Sequence, residues 1–324
     1  MIITRTPFRV SFFGGGSDLP SFYMKNQGAV LSTSIDKYMY IGSHKFFFEN
    51  NLRIKYSKTE NVGCLEELEN PIVRETLTDF GITGGLEISS HADIPSGTGL
   101  GSSSAFTVGL IHNLLVSQNK LVRKKELAEY ACSIEIDKLK EPIGKQDQYA
   151  CSFGGFRTYA FNHNGVSDTI VNLPKHTIEA LEERLYLFYL GNQRKASSIL
   201  EEQNHNTSNP DKSENLKRMV ELVWKAQRVL YDGNIHHFGK LLDIGWKMKK
   251  KMASKISNPE IDSIYEKAIQ SGASGGKVLG AGGGGFLLLY CEPEHKDALL
   301  QTLPDLKLVP FKFTNEGSTV IYVD

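Results

Sequence analysis

Short apolar runs separated by glycine and polar turns fill the first third of the chain and recur twice in its second half, a pattern typical of β-strands. The clearest runs, each of which we predict to be a strand, are Val10–Phe13, Met39–Ile41, Phe46–Phe48, Leu86–Ser89, Leu185–Leu190 and Phe286–Tyr290. Within the first strand, Arg9 and Ser11 share one face while Val10 and Phe12 share the other. From this alternation alone, Arg9 could equally be an ordinary surface cation.

Helical periodicity begins at the end of the first third. The stretch Ala105–Leu115 is apolar on every side, which predicts a buried helix beginning at Ser102 or Ser103. A second helix is predicted over about residues 123–140, where apolar residues recur at helical spacing. Pro142 and the glycine that follows it break this second helix.

The second half is predicted to be mostly helical, and a division of the chain near residue 180 separates it from the strand-rich half. The predicted helices lie at about 194–205, 212–232, 234–254 and 259–271. For the last one, Asn258 is the expected cap and Pro259 suits the first turn. The basic residues within 246–255 are predicted to form the solvated face of an amphipathic helix.

Composition narrows the class of protein. A length of 324 residues favours two domains, which we predict at 1–180 and 181–324. Lys plus Arg and Asp plus Glu number 37 each, so charge gives no reason to expect nucleic acid or a membrane surface. Four cysteines without CxxC spacing argue against a zinc site and favour reduced thiols in a cytoplasm. The sequence leaves the oligomeric state open.

The stretch 95–106, PSGTGLGSSSAF, carries the strongest chemical signal. A glycine-rich loop that opens a buried helix presents free backbone N–H groups, which attract an anion together with the helix dipole. Its serine hydroxyls can cap the helix, contact phosphate or bind Mg²⁺. The alternative is a plain glycine turn with a serine cap.

Two other glycine patterns do not fit this sequence. No GxxxxGK[ST] occurs, which excludes a Walker A loop. A GxGxxG occurs at Gly280, Gly282 and Gly285, but a predicted strand follows it where a dinucleotide-binding fingerprint should open a helix. A nicotinamide oxidoreductase is therefore disfavoured. We interpret this run as a glycine turn that packs closely against other backbone, namely the 95–106 loop.

One carboxylate is predicted to lie on the apolar face of a helix. Glu135 falls inside the apolar arc of the helix over 123–140, and a buried charge must be paired. The residues alone leave open a buried salt bridge or a position at the edge of the apolar stripe. Asp147, by contrast, reads from local sequence as a loop aspartate between a helix end and the Gly154–Gly155 turn.

Three stretches together resemble the kinase superfamily of galactokinase, homoserine kinase, mevalonate kinase and phosphomevalonate kinase (GHMP). They are TPFRVSFFGGGSD at 6–18, PSGTGLGSSSAF at 95–106 and KVLGAGGGGFLLLY at 277–290. The resemblance implies an α+β fold with an N-terminal domain like ribosomal protein S5 domain 2 and a C-terminal ferredoxin-like domain. It also implies ATP-dependent phosphoryl transfer.

Further stretches, including PIGKQDQYA and GNQRKASSIL, resemble the branch of D-glycero-D-manno-heptose 7-phosphate kinases. That resemblance implies phosphorylation of the anomeric hydroxyl of a heptose 7-phosphate, on the route to nucleotide-heptoses of surface polysaccharide. The alternatives are a fucose- or galactose-type sugar 1-kinase and a non-catalytic sugar or nucleotide sensor. Gly15 and Gly16 replace a Glu and a His of galactokinase-like members, which disfavours galactose and predicts room for a larger sugar.

The resemblance also assigns roles to residues. Asp147 is implied to be catalytic and Arg9 to orient it, while Ser103 and Glu135 are implied to hold Mg²⁺. The residues implied to bind ATP are Pro95, Ser96, Gly97, Thr98, Gly99, Leu100, Gly101, Ser102, Ser103 and Ser104. Those implied to bind the sugar are Asp18, Ser17, Gly15, Gly16, Gly282 and Gly283, with Asp18 alternatively a helix cap. Arg194, near a predicted helix start, is our candidate for the 7-phosphate of the sugar.

Overall fold

The computed structural model describes residues 1–191 and 197–324. Its strands are β1 (Ile2–Phe13), β2 (Gly28–Lys45), β3 (Leu52–Lys55), β4 (Thr59–Val62), β5 (Leu86–Ala92), β6 (Phe156–Asn162), β7 (Gly165–Ile170), β8 (Leu185–Tyr189), β9 (Ala273–Val278), β10 (Phe286–Cys291), β11 (Lys307–Leu308), β12 (Phe313–Thr314) and β13 (Thr319–Val323). Its α-helices are α1 (Pro20–Tyr23), α2 (Pro71–Phe80), α3 (Ser102–Ser117), α4 (Lys124–Cys132), α5 (Gln146–Phe153), α6 (Lys175–Arg184), α7 (Ser197–Asn206), α8 (Pro210–Tyr231), α9 (His236–Lys250), α10 (Pro259–Gln270) and α11 (Lys296–Thr302). Residues Ser133–Lys138 continue α4 as a π-helix, and short 3₁₀ turns occupy Leu65–Glu67 and Pro293–His295.

The larger sheet is organised around β2. One edge of this 18-residue strand pairs with β1, while its other edge pairs with β6 over Gly28–Thr33 and with β5 over Met39–Lys45. The strand order is β13–β1–β2–β5–β3–β4, with β6, β7 and β12 attached beside this path. Because β2 pairs with both β1 and β5, it holds in one sheet the strands that precede the loops at 14–18 and 95–101.

Helix α3 is buried against this sheet. It packs on β1, β2 and α5, and nearly every residue from Ser104 to Leu115 is shielded from solvent. The prediction of a buried helix that begins at Ser102 or Ser103 is confirmed. Gly101, which precedes the helix, has a φ of +78°, a left-handed conformation that glycine adopts without strain.

The second sheet is antiparallel and has the order β11–β8–β10–β9. Helices α9 and α10 pack on its strand β9. As predicted, Asn258 caps α10: its Oδ1 accepts a hydrogen bond from Ile261 N at 2.9 Å. No helix within the two described ranges is both long and apolar enough to cross a bilayer.

The end of the chain returns to the first sheet. Strand β12 pairs with Ile35 and Ser34 of β2, and β13 runs antiparallel to β1. Neither strand was predicted: β12 has only two residues, and the apolar run of β13, TVIYV, was overlooked. The division of the chain at residue 180 stays a prediction, and these pairings cross it.

Two local predictions are wrong. Phe46–Phe48 is not a strand: the chain turns there, and the Phe47 side chain is 88% exposed. The supposed loop around Asp147 is the eight-residue helix α5. Its apolar stripe is too short to stand out from the polar residues around it.

Candidate active site

The 95–104 loop is built around three glycines, and its Gly97 N donates to Ser102 Oγ at 3.2 Å. Gly97, Gly99 and Gly101 have φ angles of +72°, +83° and +78°. Alternation of left-handed glycines with ordinary residues turns successive amides toward the same side, which is how backbone "nests" bind anions. No side chain in the described part of the protein caps the N-terminus of α3 that follows. The loop and helix end therefore suit a phosphate chain.

Arg9 and the third glycine run hold this loop in place. Arg9 N donates to Leu100 O at 3.1 Å, and Arg9 Nη1 donates to Gly99 O at 2.6 Å. A Cβ on Gly99 would lie 2.4 Å from Leu279 O, and a Cβ on Gly285 would lie 2.3 Å from Thr98 O. The glycine run after β9 thus packs backbone to backbone against the loop, as predicted.

Arg9 forms a buried two-pronged ion pair with Asp147. Arg9 Nε and Nη2 donate to Asp147 Oδ1 and Oδ2 at 2.7 and 2.6 Å. Only 3% of the Arg9 side chain is exposed, so it is not a surface cation. Burial opposes its charge, but the attraction of Asp147 outweighs this effect and raises the pKa of Arg9. The Asp147 carboxylate is fixed as an acceptor, in the first turn of α5 and 23% exposed to the cleft.

A second carboxylate faces the helix that the loop opens. Glu135 Oε1 accepts from Ser103 Oγ at 2.7 Å, and Glu135 Oε2 accepts from Gln148 Nε2 at 2.7 Å. Burial raises the pKa of Glu135, and the hydrogen bonds from Ser103 and Gln148 oppose the rise. Glu135 lies in the π-helical turn, a widened geometry that is often found at functional sites. Gln148 was missed from sequence, although it directly follows Asp147.

The Ser103–Glu135 pair has the chemistry that Mg²⁺ prefers. Both groups supply oxygen, and Mg²⁺ commonly binds one or two protein oxygens together with water and substrate phosphates. Their separation of 2.7 Å is close to the edge of about 2.9 Å in an octahedron with Mg–O bonds of about 2.05 Å. The described ranges contain no cluster of three or more His, Cys, Asp or Glu side chains able to hold a metal by themselves. A metal ion bound by this pair would need further ligands, such as the oxygens of a phosphate chain.

Asp18 and Ser17, the implied sugar ligands, are bonded to backbone. Asp18 Oδ1 accepts from Gly16 N at 2.9 Å and its Oδ2 accepts from Gln146 N at 3.2 Å, which ties the 14–18 loop to the start of α5. Burial, followed by the nearby Asp147 charge, raises the pKa of Asp18. Ser17 Oγ exchanges hydrogen bonds with the backbone of Ala29. Asp18 is not a helix cap, because Leu19 occupies the cap of α1 and no side chain bonds there.

The space left by Gly15 and Gly16 is not what the sequence predicted. A Cβ on Gly16 would lie 1.7 Å from Gln203 Nε2, so that volume is already filled from α7. A Cβ on Gly15 would meet nothing closer than Gln146 Nε2 at 3.8 Å. Extra room therefore exists at Gly15 alone, and the prediction for Gly16 is wrong because a distant helix supplies the missing side chain.

Two buried lysines lie beside the same loop. Lys249 Nζ donates to Gly15 O at 3.2 Å and to Gln203 Oε1 at 2.7 Å. Lys277 Nζ donates to Ser11 O at 2.8 Å and to Phe12 O at 3.2 Å. The prediction of a fully solvated basic face over 246–255 is thus wrong for Lys249, which is 6% exposed. Burial lowers the pKa of Lys249 to about 8 and that of Lys277 to about 7.

Of the remaining implied sugar ligands, Gly282 and Gly283 contact the segment that follows α9, and Arg194 lies outside the described residues. Gly283 N donates to Ile256 O at 2.8 Å, and a Cβ on Gly282 would lie 2.6 Å from the same oxygen. These two glycines are therefore in contact with the segment after α9. Arg194 falls within 192–196 and lies outside the residues that the structure describes.

Comparison with known proteins supplies a context for this geometry. Residues 66–155 match the GHMP kinases N terminal domain, and residues 222–306 match the GHMP kinases C terminal domain. The chain is 31% identical to the D-glycero-alpha-D-manno-heptose 7-phosphate kinase of Campylobacter jejuni, over 98% of this chain and 97% of that protein. It is 26% identical to a bifunctional fucokinase/GDP-fucose pyrophosphorylase of Arabidopsis thaliana, over 90% of this chain and 30% of that protein.

A solved structure shares the fold along the whole chain. The crystal structure of a D-glycero-D-manno-heptose 1-phosphate kinase from Bacteroides thetaiotaomicron superimposes with a TM-score of 0.81. The two proteins are 22% identical, and the match covers 100% of both chains.

Proposed function

The chain belongs to the GHMP kinases, and from that premise we propose that it transfers the γ-phosphoryl group of ATP to the anomeric hydroxyl of D-glycero-D-manno-heptose 7-phosphate. The observation that carries the proposal is the buried Arg9–Asp147 pair. Arg9 also bonds the phosphate loop at Gly99, so an acid–base group is held at a fixed position beside an anion site.

In the proposed reaction, Asp147 accepts the proton of the C1 hydroxyl as that oxygen forms a bond to the γ-phosphorus. The bond between the γ-phosphorus and the β–γ bridging oxygen breaks, and ADP leaves with that oxygen. The amides of residues 97–104 bind the phosphate chain and stabilise charge that develops on it. Arg9 keeps both carboxylate oxygens of Asp147 oriented and adds a positive charge near the transferred group.

Ser103 and Glu135 are the residues that we propose to hold Mg²⁺. When bound, the ion neutralises phosphate charge and orients the nucleotide. The protein's own contribution is a carboxylate kept in place by Ser103 and Gln148. Because burial raises the pKa of Glu135, a bound cation would also relieve the cost of its buried negative charge.

For the acceptor, we propose that Gly15, Gly16, Ser17 and Asp18 form the sugar loop, with Gly282 and Gly283 bordering the site from the other half of the chain. Asp18 links this loop to the helix of Asp147, so sugar binding and the reacting group are positioned together. Arg194 stays our sequence-based candidate for the 7-phosphate. The product, heptose 1,7-bisphosphate, would feed nucleotide-heptose synthesis in the cytoplasm, and we expect neither nucleic acid nor membrane as a partner.

The test is ADP release coupled to a spectrophotometric assay, with heptose 7-phosphate, the unphosphorylated heptose, fucose, galactose and mannose as acceptors. We expect turnover of heptose 7-phosphate with a kcat/KM at least tenfold above that of any other sugar, and a product phosphorylated at C1 by ³¹P NMR. Preferred turnover of fucose would favour the alternative that the plant fucokinase relative supports. Nucleotide binding without turnover of any sugar would favour a sensor.

A further inference from the structure

Lys249, Lys277 and Gln203 form a cluster that we call the lysine cluster, behind the sugar loop. Both lysines line a cavity of about 10 Å³, together with glycines of the sugar loop and several apolar side chains. Gln203 is fully buried and bonds to Lys249, which links α7 and α9 to the loop. The proposed phosphoryl transfer does not use any of these three side chains.

The lysine cluster has more donors than acceptors. Each ammonium group has three N–H donors, and each uses two of them on the acceptors described above. Gln203 Nε2 has no hydrogen-bond partner among the described residues, although it is buried. Unused buried donors cost free energy, so this arrangement favours a ligand that brings acceptors.

The lysine cluster also has no negatively charged partner. Neither lysine forms a salt bridge with a carboxylate in the described ranges, and residues 192–196 contain no Asp or Glu. The nearest carboxylate of the site, Asp18, is bonded to backbone amides. Burial lowers the pKa of both lysines, so an anion is the partner that would keep them charged.

We propose that the lysine cluster is an anion site that recognises the phosphate monoester already carried by the acceptor sugar, with Lys249 and Gln203 as its specificity-determining residues. The proposal rests on the proposed function and deepens it. The sugar's phosphate is favoured as the ligand because Lys249 bonds Gly15 O and Gln203 Nε2 fills the space beside Gly16, both in the sugar loop. The cavity of about 10 Å³ is at the lower limit for one water-sized group, so it could take at most one oxygen of the phosphate.

The experiment compares kcat/KM for heptose 7-phosphate with kcat/KM for the unphosphorylated heptose. In Lys249→Met the ratio is expected to fall about 10- to 100-fold, as for loss of a charge-assisted hydrogen bond, with the KM for ATP changed less than twofold. Lys250→Met is the matched control, because Lys250 is the next residue on α9 and pairs with Asp262 at 2.9 Å. An equal loss for both sugars would overturn the proposal.

Gln203→Glu is the second variant, in case Lys249→Met does not fold. It keeps the shape of the side chain and gives Lys249 a carboxylate partner, so it should lower the same ratio while leaving the urea midpoint unchanged or raised. A ratio unchanged in a folded Gln203→Glu protein would also count against the anion site.

A binding measurement separates this proposal from the proposed function. With the nucleotide loop saturated by ADP, inorganic phosphate at 1–20 mM should raise the melting temperature of the wild type and of Lys250→Met, but not of Lys249→Met. That pattern would support the anion site even if no heptose is turned over. Absence of any phosphate effect on the ADP-saturated wild type would refute the site even if heptose kinase activity is found.

Discussion

Replacing Glu135 with glutamine should separate stability from activity. Glu135 accepts hydrogen bonds from Ser103 Oγ and Gln148 Nε2, both at 2.7 Å. An amide in its place keeps an acceptor for Ser103 but turns a second N–H₂ group toward Gln148. The Gln148 side chain can rotate, because its own Oε1 has no partner in the described residues and can become the acceptor. The network is thus restored with the same number of hydrogen bonds.

We therefore expect the free energy of unfolding of Glu135→Gln to stay within about 1 kcal/mol of wild type, the worth of one hydrogen bond. Its pH dependence should change. Since burial raises the pKa of Glu135, the native state keeps this proton to higher pH than the unfolded state does. Wild-type stability accordingly falls as pH rises from the ordinary glutamate value through the raised one, and this fall should be absent from the variant.

Activity should change far more. If Glu135 holds Mg²⁺, its loss removes about 3–4 kcal/mol of charge stabilisation in the transition state, or about 10²- to 10³-fold in kcat. The measurements are urea unfolding between pH 4 and 8 without metal, and steady-state kinetics with Mg²⁺ varied at fixed ATP. Glu129→Gln is the control, a half-exposed carboxylate on α4. A folded Glu135→Gln protein with kcat within threefold of wild type would refute the metal assignment.

Three further predictions follow from the contacts described. Asp147→Asn should lower kcat by about 10²- to 10⁴-fold with little change in ATP affinity, and a variant that keeps a tenth of wild-type kcat would contradict the role of the carboxylate. In urea unfolding, Gly16→Ala should destabilise the protein by about 2 kcal/mol, since the φ of Gly16 is +103° and the added Cβ meets Gln203 Nε2. Gly15→Ala should cost less than about 0.5 kcal/mol, and equal losses would contradict the described packing of Gln203 against Gly16. Lys277→Met should weaken the dependence of stability on pH. The pKa of Lys277 is about 7 in the native state against 10.5 in the unfolded chain, so between these values the unfolded wild type binds more protons than the native state does. Wild-type stability should therefore rise with pH by at most about 1.4 kcal/mol per pH unit relative to the variant. Parallel stability curves of the two proteins from pH 7 to 9.5 would contradict the last prediction.

Long periodic elements were predictable from the sequence, because their pattern reports burial directly. Helix α3 is apolar on every side and is buried on every side, and α10 begins where Asn258 and Pro259 place it. Helix α5 was not predictable in the same way, since it has eight residues between Gly144 and Gly154, which both read as breakers. The opposite error occurs at Phe46–Phe48, an apolar run that was predicted to be a strand but forms a turn.

The candidate site was predictable only as separate parts. The resemblance of motifs named Ser103, Glu135, Arg9 and Asp147, but their contacts span 32 and 138 positions of sequence and depend on how α3, α5 and β1 pack. Lys249 was mistaken for a solvated cation because its neighbours on α9 are solvated. A helix wheel records the side on which a residue lies, and it contains no information about which loop that side meets.

Strand β1 links the loop proposed to bind the nucleotide to the loop proposed to bind the sugar. Arg9, within this strand, bonds both Gly99 of the nucleotide loop and Asp147. Five residues beyond the strand, Asp18 bonds Gln146, the residue before Asp147. Donor loop, acceptor loop and carboxylate are therefore connected through one segment of 10 residues, whose first half is fixed by sheet pairing with β2. A substitution that frees either connection should weaken phosphoryl transfer more than it weakens binding of either substrate, because only transfer requires all three groups to be correctly placed at once.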